Sequence, residues 1–536
     1  AASDVYKRQD HIKPNIRDST YTLLHDILVA DERNTSLLSR TRVPSLLLRA
    51  WLNGKHRSNE ASILRLLWQD GIKRAEDVRT IFKHLMHSSL DNECELLRLL
   101  YDVAVSAHHP ASLTMHAKAA SKDYGIAGIH IRELPRPFPS NDPTSAGFSL
   151  AMLFHVEHTI SSATLDLFRL ESAPAQPMRL VLDMTSGTLM YDPGGHAQRP
   201  YSLLRARLKQ GAWHSVVLTH SRSMPRVAST VHVYLDGKRV CTLQVPWPGT
   251  FPHPASVCLG GASVVGEGQA TWSFASAFLM DGLIAPSIPA LLHELVPSYT
   301  GNFQAPLARF LPYAGLARMH ARLSELAEAS NPRGQSQTYR ALKNALHVAA
   351  ADVFPLDHFY LHFQADHTLR CGAQVLIPNQ AMPHLLKDIR PSESHGIVVG
   401  LPTLRLPHRL DEAIWSLGGC VVLLRLVELA NSSASLEACV CLFLRLLSFS
   451  WRLAEDAEHI RAFGILSALL RTKTRLITLP ILSALLEAAA PAAGWANVQL
   501  YRAVLLDTDL WVYTSDTVQL AYACLLYTSP SPRDRG

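Results

Sequence analysis

Between Arg132 and Gly147 the chain reads RELPRPFPSNDPTSAG, and the hydrophobic period differs on the two sides of this stretch. Upstream, from about Ser19 to Ala107, apolar residues recur at helical spacing in short blocks: Tyr21, Leu23, Leu24, Ile27 and Leu28, then Ile63, Leu64, Leu67 and Trp68. That spacing gives each helix one face to bury, so this part reads as stacked helices. Downstream the apolar residues alternate, which sends every second side chain to one face of a strand. Proline fixes φ and removes a backbone donor, so the stretch separates the two regimes and marks a domain boundary. From Ala305 onward helical spacing returns, in LARFLPYAGLARMHARLSELAE and TYRALKNALHVAAADVF, and then in densely apolar blocks from Leu410. A chain ordered α, β, α has to close at least two kinds of core.

The alternating region holds eight strand candidates: residues 148–156, 164–170, 178–184, 188–192, 213–221, 231–235, 238–245 and 256–260. Regular short strands separated by turn signals predict a sandwich. The sharpest local signal is VHVYLDGKRVCTL, where Asp236-Gly237 suits a two-residue type I′ turn because both central positions need positive φ. In the simplest register Val233 faces Val240, with Val231 and Leu235 on the same side. In the last third, Gly418-Gly419 before CVVLLRL recurs in weaker form as Phe463-Gly464 before ILSALLR, displaced by 45 residues. That displacement lies in the range of HEAT and armadillo repeats, so residues 305–523 read as an α-solenoid.

Composition excludes several classes. With 48% hydrophobic and 18% charged residues the chain can bury a sizeable core. A net charge of +6 without a Lys/Arg block argues against a nucleic-acid surface. The apolar runs at 420–430 and 439–449 are broken by Arg425 and Arg445, short of a bilayer span. Cys94, Cys241, Cys258, Cys371, Cys420, Cys439 and Cys441 are odd in number and lack framework spacing, which suits reduced thiols in a cytoplasmic setting. The ends AASDVYKRQ (1–9) and the tail from Cys524 (524–536) resemble translated sequencing adapters and are set aside.

Trp213-His214 before VVLTHS, the VYLDGKRV hairpin and VCLGGAS resemble the concanavalin A-like, laminin-G-like sandwich. The order of GIAGIHIRELPRPFP before GFSLAMLFHVEH, then FLMDGLIAPSIPALLHELVPSYTGNFQ before helices, resembles the BEACH proteins, the family of neurobeachin and beige. AIWSLGGCVVLLRLVELA, IRAFGILSALLRTKTRLITLPILSALLEAA and LLDTDLWVYTSDTVQLA are similar to the helical region these proteins carry after the sandwich. The resemblance implies a multidomain α and β fold. Residues 10–131 are then helical repeat-like, 132–304 a concanavalin A-like β-sandwich with Trp213 in its core, and 305–523 an armadillo-like solenoid. It implies a non-catalytic scaffold for vesicle trafficking and lysosomal or autophagic membrane dynamics, cytoplasmic and peripheral on endomembranes. Its partners would be other proteins, held at the solenoid and sandwich surfaces, with membrane association through domains outside this sequence and no nucleic acid. The rival readings are a carbohydrate-binding lectin and, remotely, a glycoside hydrolase. Residues 352–402 fit no recognised pattern.

No catalytic, cofactor or metal residue is assigned. A glucanase on this sandwich needs paired carboxylates on one strand face, whereas Asp142, Glu157, Asp166, Glu171, Asp183, Asp192, Asp236, Glu267, Asp281 and Glu294 never fall within four residues of one another. For a calcium-dependent lectin Asp166, Asp183 and Asp192 are the candidates, but the simpler reading of each is a solvated strand-end carboxylate. His84/His87, His155/His158 and His358/His362 have ligand-like spacing but no HExxH context. Cys439 and Cys441 read as buried packing, and the glycines of GGASVVGEG (260–268) lack the Lys-Ser/Thr of a phosphate loop. Trp213, Phe148, Trp272 and Phe278 would line a groove or, more simply, fill the core.

Overall fold

The computed structural model describes residues 14–528 except 31, 55–56, 119–127, 132, 141, 143–144, 158–162, 174, 195–199, 204–207, 223–227, 265–268, 297–298, 300, 302, 330–336, 366–374, 379–394, 400–401 and 490–496. Both adapter-like ends lie wholly or largely outside the described residues, as do His158, Glu267 and Cys371. The chain forms two units. One takes residues 1–109, 310–321 and 407–536, and the other takes 110–309 and 322–406.

The first unit is helical. Its upstream helices are α1 (Pro14–Ala30), α2 (Glu32–Ser39), α3 (Val43–Leu52), α4 (Arg57–Leu67), α5 (Ala75–His87) and α6 (Cys94–Ser106). The segment 110–406 carries α7 (Ile288–Glu294), α8 (Tyr313–Glu328) and α9 (Gln337–His347). The helical pattern then resumes with α10 (Leu410–Leu417), α11 (Cys420–Leu429), α12 (Ser433–Phe449), α13 (Trp451–His459), α14 (Ala462–Arg471), α15 (Leu479–Ala489), α16 (Val498–Leu500), α17 (Thr508–Trp511) and α18 (Asp516–Thr528). Helices three apart pack together: α10 on α13, α11 on α14, α12 on α15, α14 on α17 and α15 on α18. With α7–α9 left out of the count the same rule pairs α5 with α11 and α6 with α12. One apolar core accordingly joins Leu97, Leu100 and Val103 of α6 to Val440, Phe443 and Leu447 of α12.

Polar contacts hold this closure in register. Asp91, between α5 and α6, accepts hydrogen bonds from Ser432 Oγ (2.6 Å) and Ser435 Oγ (2.7 Å). Those two serines form the capping box of α12, so the carboxylate sits at a helix N-terminus, where the dipole favours it. Asp70 holds both chain crossings: its carboxylate is 3.1 Å from His109 Nε2, and its carbonyl accepts from His408 N at 2.7 Å. Among the described residues no single helix is long and apolar enough to cross a membrane.

The second unit is two antiparallel sheets of eight strands each. One sheet runs β10 (Lys238–Gln244), β9 (Thr230–Leu235), β8 (Trp213–Ser221), β3 (Gly147–Val156), β12 (Gln269–Asp281), β1 (Ser112–Lys118) and β16 (Thr403–Arg405), with β13 (Phe359–Gln364) also on β12. The other runs β14 (Val375–Pro378), β15 (His395–Val399), β2 (Gly128–Ile131), β11 (Ser256–Val264), β4 (Ala163–Glu171), β5 (Met178–Asp183), β6 (Thr188–Asp192) and β7 (Tyr201–Ser202). Phe148, Leu150, Met152 and Phe154 of β3 share a core with Leu165, Leu180, Leu182 and Tyr191 of the facing sheet. Asp236 (φ 50°) and Gly237 (φ 76°) form the expected tight turn.

Several expectations change. The helices of 10–131 and those of 305–523 from Leu410 onward do not make separate domains, because their faces close on one core, while α9 lies in the second unit. The sandwich extends beyond 132–304, taking β1 and β2 from upstream, β13–β15 from the unrecognised stretch 352–402 and β16 from just beyond it. The register shifts between Arg239 and Cys241, so Val233 pairs with Cys241 and Val240 is 45% exposed on an edge strand. Gly464 is not a helix break, since α14 starts at Ala462 and the break is Arg461 at φ 54°. Trp213 is only half-buried: in β8 the even positions Val216 and Leu218 belong to the core between the sheets, so Trp213 lies on the other face and packs by His155. Within the sandwich core the buried tryptophan among the described residues is Trp272 of β12.

Gly71 bridges to His408 at φ +88°, and a Cβ there would lie 1.8 Å from the His408 carbonyl oxygen. Gly54 has φ +78° with nothing within 4 Å. In thermal unfolding, Gly54→Ala should cost about 1 kcal/mol for the left-handed backbone alone, and Gly71→Ala distinctly more. Equal losses would contradict the crossing described here.

Candidate functional site

Among the described residues each unit carries a cleft. On the outer face of the β3–β8–β12 sheet, small residues leave a hollow of about 80 Å3 where Ala151, Ser215 and Ala275 face Leu292 and Leu295. Phe278, Phe303 and His362 wall one side. Phe303 adopts φ +60°, and its N–H donates to Tyr299 Oη at 2.7 Å. His362 is stacked on Phe359 at 5.6 Å, and burial pushes its pKa down to about 4.

Ser215 Oγ lies 3.1 Å from His293 Nδ1 in this cleft, the distance of a nucleophile and its base. The surroundings are wrong for acyl transfer. The Ser215 N–H donates to Asp236 Oδ1 at 2.9 Å, which sets a carboxylate where an oxyanion would need donors. His214 donates to Asp236 Oδ2 (3.0 Å) and to the Lys209 carbonyl (2.8 Å). Burial opposes charge on His214, but these bonds outweigh it and its pKa is raised; Asp236, likewise opposed by burial, is lowered by the bonds it accepts. The set locks the hairpin turn onto β8.

The sandwich core contains one polar chain. Tyr191 Oη is 3.0 Å from His220 Nδ1, His220 Nε2 is 2.8 Å from Ser229 Oγ, and Ser229 donates to the Ser221 carbonyl at 2.8 Å. Since Ser229 gives its proton away, His220 carries its proton on Nε2 and accepts from Tyr191. Burial pushes His220 down to about 4 and Tyr191 well up, so both stay neutral.

The sequence candidates do not converge. Asp166 is buried and bound by Arg179 at 2.6 Å, rather than solvated. Asp183 caps its own turn through Thr185 N (2.9 Å) and Ser186 Oγ (2.7 Å), and Asp192 takes Gly194 N (3.0 Å). His84 pairs with Glu93 (3.2 Å) while His87 Nδ1 sits against the Lys83 carbonyl (2.7 Å). His358 ends a 3-10 turn and His362 lies on β13, so this pair is not helical. Among the described residues no three His, Cys, Asp or Glu side chains group to hold a metal. Burial raises Cys439 to about 12 and also raises Cys441. Phe148, Trp272 and Phe278 are buried. Ser215, His293 and the helical cleft described next were not legible as sites, although alanines within the strand runs hinted at the hollow.

The helical unit carries the larger cleft, about 220 Å3. Tyr101 of α6, Cys441, Arg445 and Ser448 of α12 and Ala484 and Glu487 of α15 line it, at helical spacing along adjacent helices. Tyr313 and Ala314 form its remaining wall.

No family model matches the chain. It is 25% identical over 356 residues to mouse (Mus musculus) WD repeat- and FYVE domain-containing protein 4, covering 60% of this chain and 11% of that protein. Beige protein homolog 1 of Schizosaccharomyces pombe is 22% identical over 373 residues (57% and 14%). Protein SPIRRIG of Arabidopsis thaliana is 24% identical over 310 residues (53% and 9%). The chain thus spans between 9% and 14% of the length of these relatives. Among solved structures, a heptameric SAP-like pentraxin from Limulus polyphemus is similar at TM-score 0.26 and 10% identity, covering 34% of this chain and 83% of that one. Trypanosoma rangeli sialidase is similar at TM-score 0.20 and 18% identity (28% and 22%).

The buried histidines set the acid response. His108, stacked on Phe449 at 3.7 Å, is pushed down to about 3 by burial and Arg409, and His220 and His362 to about 4. Unfolded, each binds its proton near pH 6.5. Stability is therefore full above about 6.5 and falls, at up to about 1.4 kcal/mol per pH unit per histidine, as pH drops toward 4. His214, shifted upward, acts oppositely: its contribution is lost as pH rises through its folded pKa. Melting followed from pH 7 to 4.5 should show a steep fall, lessened in His362→Phe; a flat profile would contradict the buried neutral assignments.

Proposed function

We propose, from the chain's membership of the BEACH family, which its relatives in mouse, fission yeast and Arabidopsis share, that it is a non-catalytic protein-interaction region of a trafficking scaffold. In this reading the sandwich is concanavalin A-like, the helical unit an armadillo-like stack, and the whole protein works at vesicle, lysosomal or autophagic membranes from the cytoplasm. The observation that supports it is the packing of α6 on α12 and of α12 on α15, which sets the three helices in series. Repeat stacks bind partners along the faces such series present.

The internal chemistry supports surfaces over reactions. Asp166, Asp183 and Asp192 are each occupied by their own neighbours, and Ser215 faces a carboxylate. A lectin would need free oxygen ligands or an exposed aromatic platform, whereas Phe148, Trp272 and Phe274 lie in the core. The test is a glycan array probed with the full chain, with and without calcium. No specific binding by the folded chain is expected; specific, calcium-sensitive binding would replace the scaffold reading with a lectin.

A further inference from the structure

Helices inside the stack of the first unit are apolar on more than one side. α12 buries Leu436, Val440, Phe443 and Leu447 along one ridge and Leu442 and Leu446 along another, as α6 and α15 both pack on it. At the upstream end α1 has two apolar sides but is met on one. It packs on α4, with Tyr21 and Leu28 buried and the Tyr21 hydroxyl donating to Glu60 Oε1 at 2.9 Å. On the opposite side Leu23, 61% exposed, and Ile27 stand one turn apart in solvent, and Leu37 of α2 is exposed as well.

The downstream end does the same. Val518 of α18 is buried and Tyr522 stacks on Trp511 at 4.9 Å, whereas Leu520 of the same helix is 69% exposed. Val512 and Tyr513, directly after α17, are exposed too, Tyr513 to 71%. Both sets of side chains lie within residues 10–523, clear of the adapter-like ends.

The packing order states what such faces accept. Helices three apart meet along the stack, from α1 on α4 to α15 on α18, so among the described residues α1 and α2 have no helix before them and α17 and α18 none after. In a repeat stack the front of each repeat packs on the back of the one before, and a terminal repeat that meets only water carries a polar outer face. Here both outer faces are apolar. The front of one copy therefore offers what the back of another lacks.

We propose, building on the repeat-stack reading above, that the two ends are the halves of one interface: Leu23, Ile27 and Leu37 of one copy dock on Val512, Tyr513 and Leu520 of a second copy, and the chains associate head to tail. A contact between two different patches leaves one of each free at every step, so it propagates beyond a dimer.

The test is sedimentation velocity of the full chain at rising concentration. The unaltered chain should sediment progressively faster, past the value of a dimer. Leu23→Asp with Ile27→Asp removes the front, and Val512→Asp with Tyr513→Asp removes the back. Each variant alone should stay monomeric at every concentration, with its melting temperature unchanged because these side chains are already in water. Leu37→Asp and Leu520→Asp, single changes on the same two faces, repeat the comparison if either pair disturbs folding. An equimolar mixture of the two blocked variants keeps one front and one back and should stop at a dimer. A monomeric unaltered chain would overturn the proposal and leave the ends to helices of another protein. Association that survives the loss of one end, the mark of a two-fold contact, would overturn it too, as would a mixture that stays monomeric. None of these results depends on the glycan array, so failure here leaves the scaffold reading to that separate test.

Discussion

The packing of α6 against α12 is the contact on which the rest depends. These helices lie on opposite sides of the long segment 110–406, and bringing them together costs loop-closure entropy before any contact is gained. That cost grows only slowly with loop length, and here the loop folds into a unit of its own, so it is not a floppy closure. What offsets it is a shared apolar core together with directional contacts that fix its register. Asp91 reaches across to cap α12, and Asp70 holds His109 on the outgoing chain and His408 on the returning one. The helical cleft inherits this dependence, since Tyr101 comes from before the segment and Arg445, Ser448 and Glu487 from after it.

The sandwich unit solves a different problem. Its central strands β3 and β12 are buried almost throughout, because the facing sheet covers one side and α7 with the chain after it covers the other. A sheet enclosed this way has little room for charge, and its buried titratable groups comply. Tyr191 and His220 stay neutral and satisfy one another, and His214 is charged only because Asp236 accepts from it. These groups specify packing and turn geometry, leaving recognition to surfaces.

Much of the local structure was legible. The eight alternating runs became strands within a residue or so at most ends, the exception being β11, which runs on to Val264, and Asp236-Gly237 formed the turn its residues require. Long-range pairing was not legible. The longest described strand, β12, escaped because the alternation of ATWSF is broken by the bulge after Phe274 and ends in the continuous apolar run AFLM. The stretch 352–402 supplied β13 to one sheet and β14 and β15 to the other without a recognisable pattern, since edge and cover strands are chosen by what they pair with. The 45-residue echo at Gly419 and Gly464 does not join two equivalent breaks, because Gly464 lies inside α14 whereas Gly418-Gly419 separates α10 from α11. No period in the sequence announces that helices on either side of the sandwich share a core, and without that closure the cleft at Tyr313 is invisible.

The most direct measurement removes the segment between the crossings. His109 and His408 are both held on Asp70, so residues 110–406 can be replaced by a short Gly/Ser linker without stretching the chain. If α6 and α12 close one core, the shortened protein should show strong helical circular dichroism and a single cooperative melt, and Leu97→Ala and Phe443→Ala should each lower that same transition. A protein that is unfolded, or that melts in two steps with each substitution affecting only one, would contradict the shared core and with it the single stack whose two ends are proposed to meet.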